Sequence, residues 1–358
     1  MKRLNYLDNL RWMTVILVMI YHVFYIFNCC GVPTGIPVQG IALFDIPCMF
    51  MYPWFMVLMY VIAGMSARYA LQKRTDKEFI HDRTIRILLP SILGMLTYTL
   101  PTGWVGLQFA EGLEKVPMAV NIIIMVLSGS GPLWFCHLLF VICLILRLVR
   151  KIDKNGKLLA LGEKANLLVL LALAVPVWLS SMVLNMPVIS VYRLGIYGVS
   201  FLLGYYVISH ESVQQTLEKY AFFVGGAGVI MGIVICILWR GQNYTADEFL
   251  QHPFINLYLW VMVLGIIGLG RKYLDFRNDF TKFMASRSQC YYLLHYTFLS
   301  LSTYFCITRL TSVPVGVYYI INAIVLAICT ALVTEIMIRI PVLNRLLLGY
   351  IPKQKQSS

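Results

Sequence analysis

The chain has 358 residues, 59% of them hydrophobic and only 13% charged, with a mean hydropathy of +0.76. So little polar surface cannot cover a soluble domain, which excludes that class and indicates an integral membrane protein. The formal net charge of +13 does not point to a nucleic-acid partner, because the basic residues gather in short segments between apolar runs, the pattern of membrane topology.

In chain order, hydropathy and helix breakers place spans at 10–29, 48–70, 87–104, 133–149, 166–186, 191–209, 221–239, 254–270, 288–308 and 316–338. The expectation is an all-α polytopic bundle of about ten transmembrane helices. The first run is too long for a signal-peptide core and lacks a cleavage site, so it reads as a retained helix. An even number of spans puts both termini on one side. Of the 29 Lys and Arg, 24 fall in segments on that side and four, Lys115, Arg193, Arg240 and Arg309, on the other, with Arg11 inside the first span. That bias predicts an N-in, C-in orientation. The stretch 119–128 is apolar but too short to span, and a Ser-Gly-Ser-Gly-Pro run follows it, which reads as a re-entrant or interfacial piece. One transmembrane domain over 1–345 and a disordered cytoplasmic tail over 346–358 complete the organisation. The nine cysteines are scattered, form no CxxC pair and have no histidine at metal spacing, so they read as small buried hydrophobes and no metal is expected.

Ionisable groups inside spans are costly and mark functional candidates: Arg11, His22, His137, Arg193, His295 and Glu335. The first span opens with Leu7-Asp8-Asn9-Leu10-Arg11. Asp8 lies three residues before Arg11, and the eleven steps from Arg11 to His22 come to about three helical turns, so all three share one face. His22 then falls beyond the midplane toward the outside, where a neutral imidazole can take a proton from a hydroxyl. The bland alternative is a histidine held by a neighbouring helix. Arg83 and Arg86 stand where a cytoplasmic loop enters the third span, and their forked donors suit phosphate oxygens, although plain positive-inside anchoring also accounts for them. Trp134, Phe135 and His137 lie near an outer edge. Ser288, Tyr292 and His295 share a helix face, with structural and catalytic roles for His295 equally open. Glu335, four residues before Arg339, reads as half of a helix-end ion pair.

Taken in order, several segments resemble the acyltransferase-3 family of bacterial membrane acyltransferases. They are Leu7-Asp8-Asn9-Leu10-Arg11 with ten residues between Arg11 and His22; Val61-Ile62-Ala63-Gly64; Arg83 and Arg86 ahead of Leu89-Pro90; Leu133-Trp134-Phe135; Phe201-Leu202-Leu203-Gly204-Tyr205; and Tyr292-Leu293-Leu294-His295. The resemblance implies a protein of the bacterial cytoplasmic membrane. It would use a cytoplasmic acyl-CoA, usually acetyl-CoA, and acylate an extracytoplasmic cell-envelope glycan or lipid-linked sugar. It assigns Arg83, Arg86 and Arg11 to the donor and makes His22, with Arg11 and Asp8, the candidate catalytic group. Trp134, Tyr292 and His295 are candidates for the acceptor side by residue type. The region around Leu133-Trp134-Phe135 is also similar to the periplasmic glucan succinyltransferase branch. The chain departs from many relatives at Val61-Ile62-Ala63 and in having no C-terminal esterase-like domain. Direct transfer with His22 as general base and a covalent acyl-histidine route both fit. A transporter of the same fold, using the intramembrane Arg, His and Glu as a proton relay, is the competing expectation, and an envelope scaffold the third.

Overall fold

The structure is a computed structural model that describes residues 4–186 and 191–350. Every named element among them is helical. In chain order these are α1 (Asn5–Tyr25), α2 (Asp45–Leu71), α3 (Asp76–Arg83), α4 (Leu89–Met95), α5 (Leu100–Phe109), α6 (Met118–Ser128), α7 (Trp134–Ile152), α8 (Lys157–Glu163) and α9 (Leu167–Ala172). They continue with α10 (Ala174–Ser180), α11 (Leu194–Leu203), α12 (Glu211–Lys219), α13 (Ala221–Leu238), α14 (Asp247–Leu250), α15 (Pro253–Tyr273), α16 (Asp279–Arg309), α17 (Val315–Arg339) and α18 (Pro341–Leu346). The expected tail lies outside the described residues from position 351 onward.

Six helices, α1, α2, α7, α13, α15 and α17, are long and apolar enough to cross a membrane. Two further runs are bent pairs: α3–α4 against α5 by 41°, and α8 against α9–α10 by 116°. Counting each pair as one span gives eight. The predicted straight span over 87–104 is therefore broken, whereas the larger bend falls just before the predicted run at 166–186, and the sequence supplies the reasons. Pro101 sits in the first turn of α5, and a proline cannot continue the preceding helix. Asn166 caps α9 by accepting from the Val169 amide at 3.0 Å, so a new helix begins there. The run at 191–209 is a short apolar helix, and 288–308 is the C-terminal part of the 31-residue α16, whose length suffices but whose sequence is interrupted by Arg287, Gln289 and several hydroxyls. The short 119–128 stretch is an 11-residue helix, α6, as its length implied.

Exposed apolar stripes complete the membrane character. On α17, Ile320, Ile324, Ile328, Leu332 and Ile336 recur every four residues and are all exposed. Such a stripe suits hydrocarbon rather than water.

The chain divides into two compact units. The first takes its described residues from Met1–Thr34, Gln39–Phe79 and Val141–Ser286. Here α2 and α11 cross at glycines: a Cβ on Gly64 would lie 2.0 Å from the Phe201 carbonyl oxygen, and one on Gly204 would lie 2.2 Å from that of Val61. Backbones this close are how membrane helices gain packing without a hydrophobic drive. The polar helix α12 is clamped onto three spans. Arg271 of α15 donates to Glu218 at 2.8 Å and to Glu211 at 2.5 Å. Gln214 accepts from the Tyr6 hydroxyl at 2.7 Å and donates to that of Tyr69 at 2.8 Å.

The second unit takes Gly35–Val38, Ile80–Phe140 and Arg287–Ser358 within the described range. In it α16 and α17 share buried polar bonds: Ser302 donates to Asn322 at 2.7 Å, and Asn322 donates to Thr303 at 2.8 Å. One expectation is corrected here. Glu335 does not form its ion pair along the helix with Arg339 but across to Arg287 of α16, at 2.8 and 3.3 Å. A bidentate fork satisfies both carboxylate oxygens at once, which outweighs a single in-helix contact.

Candidate active site

The first site helix is fixed at its start. Asp275 accepts from the backbone amides of Asn5 at 2.9 Å and Tyr6 at 3.3 Å, serving two of the four amides that a helix start leaves unbonded. Asn9, 2% exposed, donates to the carbonyls of Leu274 at 2.7 Å and Phe276 at 2.9 Å and accepts from the Trp12 indole at 3.0 Å. Leu10 packs where Gly270 has no side chain. The opening motif is thus half mechanical. Leu10 and Asn9 bolt the helix down and leave Asp8 and Arg11 on a half-buried face.

On that face Arg11 donates to Asp8 at 3.3 Å through one nitrogen and to Ser66 of α2 at 2.9 Å through another. A guanidinium with two fixed contacts is oriented rather than swinging in solvent. Sequence reading found the acid but not Ser66, since nothing local marks a hydroxyl 55 positions away as its partner.

His22 follows about 16.5 Å along the helix axis and is half-buried. Its ring meets Tyr25 edge-on at 5.8 Å and Tyr21 at 5.2 Å. Behind it lies an aromatic layer. Tyr21 is 5.3 Å from Tyr25, 5.8 Å from Tyr52 and 5.1 Å from Phe55, and Tyr244 closes the group 5.3 Å from Tyr52. The rings give His22 a semi-dry setting. Only the histidine was legible beforehand, because the layer gathers residues from three separate stretches.

In the second unit, Arg83 ends α3 and Arg86 lies in a wide π-helical turn, Thr84–Leu88. Such a turn rotates less per residue than an α-helix, so the two arginines do not keep the α-helical three-residue register. Asp82 is ion-paired with Arg86, whose Nε lies 2.9 Å away, and lies 4.0 Å from Arg83. The pair is therefore partly neutralised, which was not foreseen. Gln289 of α16 donates to the Arg86 carbonyl at 2.5 Å and holds the turn.

Tyr292 and His295 gather in this unit, with Trp134 next to Phe135. Tyr292 donates to the Pro132 carbonyl at 2.6 Å, and its ring meets Phe135 edge-on at 5.5 Å, beside Trp134. His295 is fully buried, 5.9 Å from the Tyr292 ring, and its Nδ1 faces the carbonyls of Tyr292 at 2.8 Å and Tyr291 at 3.1 Å. A carbonyl only accepts, so Nδ1 carries the proton, and in the neutral ring Nε2 is the acceptor nitrogen. Neither group suits a developing oxyanion: the Tyr292 proton is already given to Pro132, and His295 Nε2 has none to give.

The family model for the acyltransferase domain of the acyltransferase-3 type matches residues 4–334, whereas no curated protein and no solved structure matches the chain. The match runs continuously from the capped start of α1, through Arg11, the Arg83/Arg86 pair and the glycine crossing, into α17. On that near-complete coverage the chain belongs to the acyltransferase-3 family and is a multi-pass membrane acyltransferase.

Proposed function

We propose that the protein moves an acyl group, most often acetyl, from cytoplasmic acyl-CoA to a hydroxyl of an extracytoplasmic cell-envelope glycan or lipid-linked sugar in the bacterial cytoplasmic membrane. It is then an O-acyltransferase with acetyl-CoA as co-substrate. The observation that carries the reading is the oriented Arg11, held by Asp8 and Ser66, on the same helix face as His22. The separation means that the two act on different parts of the donor. Arg11 binds the acyl-CoA along its length, and His22 meets the thioester. As general base, His22 takes the proton of the acceptor hydroxyl while its oxygen attacks the thioester carbonyl; the C–S bond breaks and the thiolate leaves with CoA. Positioned base catalysis of this kind typically contributes about 10²–10⁴-fold.

Arg83 and Arg86 hold the phosphates of CoA in this scheme, with Asp82 setting the orientation of Arg86. Trp134 offers the acceptor an aromatic face. Tyr292 and His295 support that surface.

The test is turnover and binding of radiolabelled acetyl-CoA by the purified full chain in proteoliposomes. His22→Ala is expected to abolish transfer and leave donor binding within a few-fold, whereas Arg83→Ala/Arg86→Ala loses donor binding. A chemically trapped acyl-His22 would replace the general-base route by the covalent one. A wild-type protein that neither binds nor turns over acyl-CoA would overturn the proposal and favour a carrier.

A further inference from the structure

Helices α1 and α13 both pack against α2, and between them a cleft of about 730 Å³ stays open in the first unit. That volume lies in the range of small-molecule sites, about 300–1,000 Å³. Leu17 of α1, Ile46, Phe50 and Trp54 of α2, and Ile233 and Ile237 of α13 form its walls. The cleft opens sideways: Ile233 is 51% exposed and Ile237 69%, on a helix long and apolar enough to cross the membrane. Its mouth therefore faces hydrocarbon.

Along their length the walls offer a ligand nothing polar. The Trp54 indole donates to the Phe50 carbonyl at 2.8 Å, and that carbonyl also accepts from the Tyr258 hydroxyl at 2.6 Å. The Cys236 thiol donates to the Ile46 carbonyl at 3.6 Å. Phe50 packs where Gly232 has no side chain, since a Cβ there would lie 2.4 Å from its ring, so the wall is held in place. Among the described residues that line the cleft, Arg240 alone is charged, and it stands two residues past the end of α13. Its side chain is exposed and makes no hydrogen bond or ion pair with the described residues. Its neighbour Trp239 stacks on Phe254 at 6.4 Å, and tryptophan collects at the headgroup level of a bilayer. This end of α13 adjoins the His22 end of α1: Asn243 donates to the Gly31 carbonyl at 2.9 Å, and the Tyr244 ring is 6.5 Å from that of Tyr21. An occupant must be apolar over about 12 Å, the helix rise from Ile46 to Trp54, and anionic at one end, where a forked donor waits.

We propose that the cleft binds an acyl chain of an anionic phospholipid whose phosphate is held by Arg240, beside the His22 end of α1. A zwitterionic lipid fits the same walls, but its own cation offsets the phosphate, so the site selects by charge. The site stands apart from the acyl-transfer scheme and does not depend on His22 being the reacting group.

The probe is phosphatidylglycerol brominated in its acyl chains, which quenches a tryptophan that it touches. The full chain is reconstituted in vesicles of phosphatidylcholine and phosphatidylglycerol in equal amounts, with one lipid or the other brominated. The part of the fluorescence that disappears in Trp54→Phe is the signal of the cleft. Wild type is expected to show about fivefold preference for phosphatidylglycerol at Trp54, falling to near parity in Arg240→Gln. Equal quenching by the two lipids at Trp54 in wild type, or an unchanged preference in Arg240→Gln, overturns the site. Should Trp54→Phe fail to fold, native mass spectrometry of wild type and Arg240→Gln, released from detergent containing the same unbrominated mixture, decides instead. Phosphatidylglycerol retained by wild type and lost from the variant supports the site; equal retention, or none in wild type, overturns it.

Discussion

Single polar residues fix the parts on which the chemistry depends. Asn9 makes three side-chain hydrogen bonds in a buried place, so Asn9→Ala leaves two carbonyls without their donor. The expected cost is about 2–3 kcal/mol, seen as a lowered unfolding midpoint in detergent with acyl-CoA binding retained well below it. His210 gives a pH-dependent counterpart at the start of α12. Its Nε2 lies 2.8 Å from Arg68, and a guanidinium only donates, so the imidazole is neutral and accepting. Burial first, and Arg68 second, hold its pKa below the ordinary histidine value of 6.5, against a weaker opposing pull from Glu163. The unfolded chain therefore takes up this proton at a higher pH than the folded one. The stabilising contact is complete above about pH 6.5 and weakens as the pH falls, levelling off once the folded histidine also titrates. Unfolding midpoints measured from about pH 8 down to about pH 5 should fall more steeply in wild type than in His210→Gln. Parallel curves would show that the Arg68 contact does not respond to protonation.

At the scale of elements, two of the motifs shared with the family prove to be one contact. Gly64 and Gly204 each lie where the other helix's backbone comes closest, so Val61-Ile62-Ala63-Gly64 and Phe201-Leu202-Leu203-Gly204 are packing partners. Gly64→Ala or Gly204→Ala pushes the backbones apart and should cost about 1–3 kcal/mol, read as reduced folded yield and a lower midpoint. If either variant unfolds like wild type, the close crossing is not a source of stability. This pairing could not be read from the sequence, because each glycine only shows that something comes near. Period-based features were legible: the Asp8–Arg11–His22 stripe, the shared face of Ser288, Tyr292 and His295, and the brevity of α6. Features set by distant partners were not. Ser66 reaches Arg11 from another helix, Arg287 takes Glu335 from Arg339, and Asp82 tempers Arg86 within a turn whose widening no local signal announces. The nine-residue α12 escaped as well, since a short polar helix at a membrane surface carries no apolar run to mark it. The bend at Pro101 turns the expected straight span over 87–104 into a broken one, and the short or interrupted runs at 191–209 and 288–308 leave hydropathy counting more crossings than helix length supports.

Across the whole molecule, function depends on which side each charge faces. Transfer from a cytoplasmic donor to an external acceptor requires Arg83 and Arg86 inside and the end of α1 that bears His22 toward the outside. The charge distribution favours that arrangement, with 24 of the 29 Lys and Arg in segments assigned to the inner side. Two loops test it at little structural risk. The turn between α7 and α8 holds Lys154, Asn155 and Gly156, with Gly156 at a φ of 64°, and the turn after α13 holds Gly241 at a φ of 78° followed by Gln242. A phosphatase reporter that is active only outside the cytoplasm, inserted after Asn155, should stay inactive, and the same reporter after Gln242 should be active. The reverse result would put the basic loops outside. It would then place Arg83 and Arg86 away from any cytoplasmic CoA and remove the physical basis for a donor pair there, whatever the turnover measurements gave.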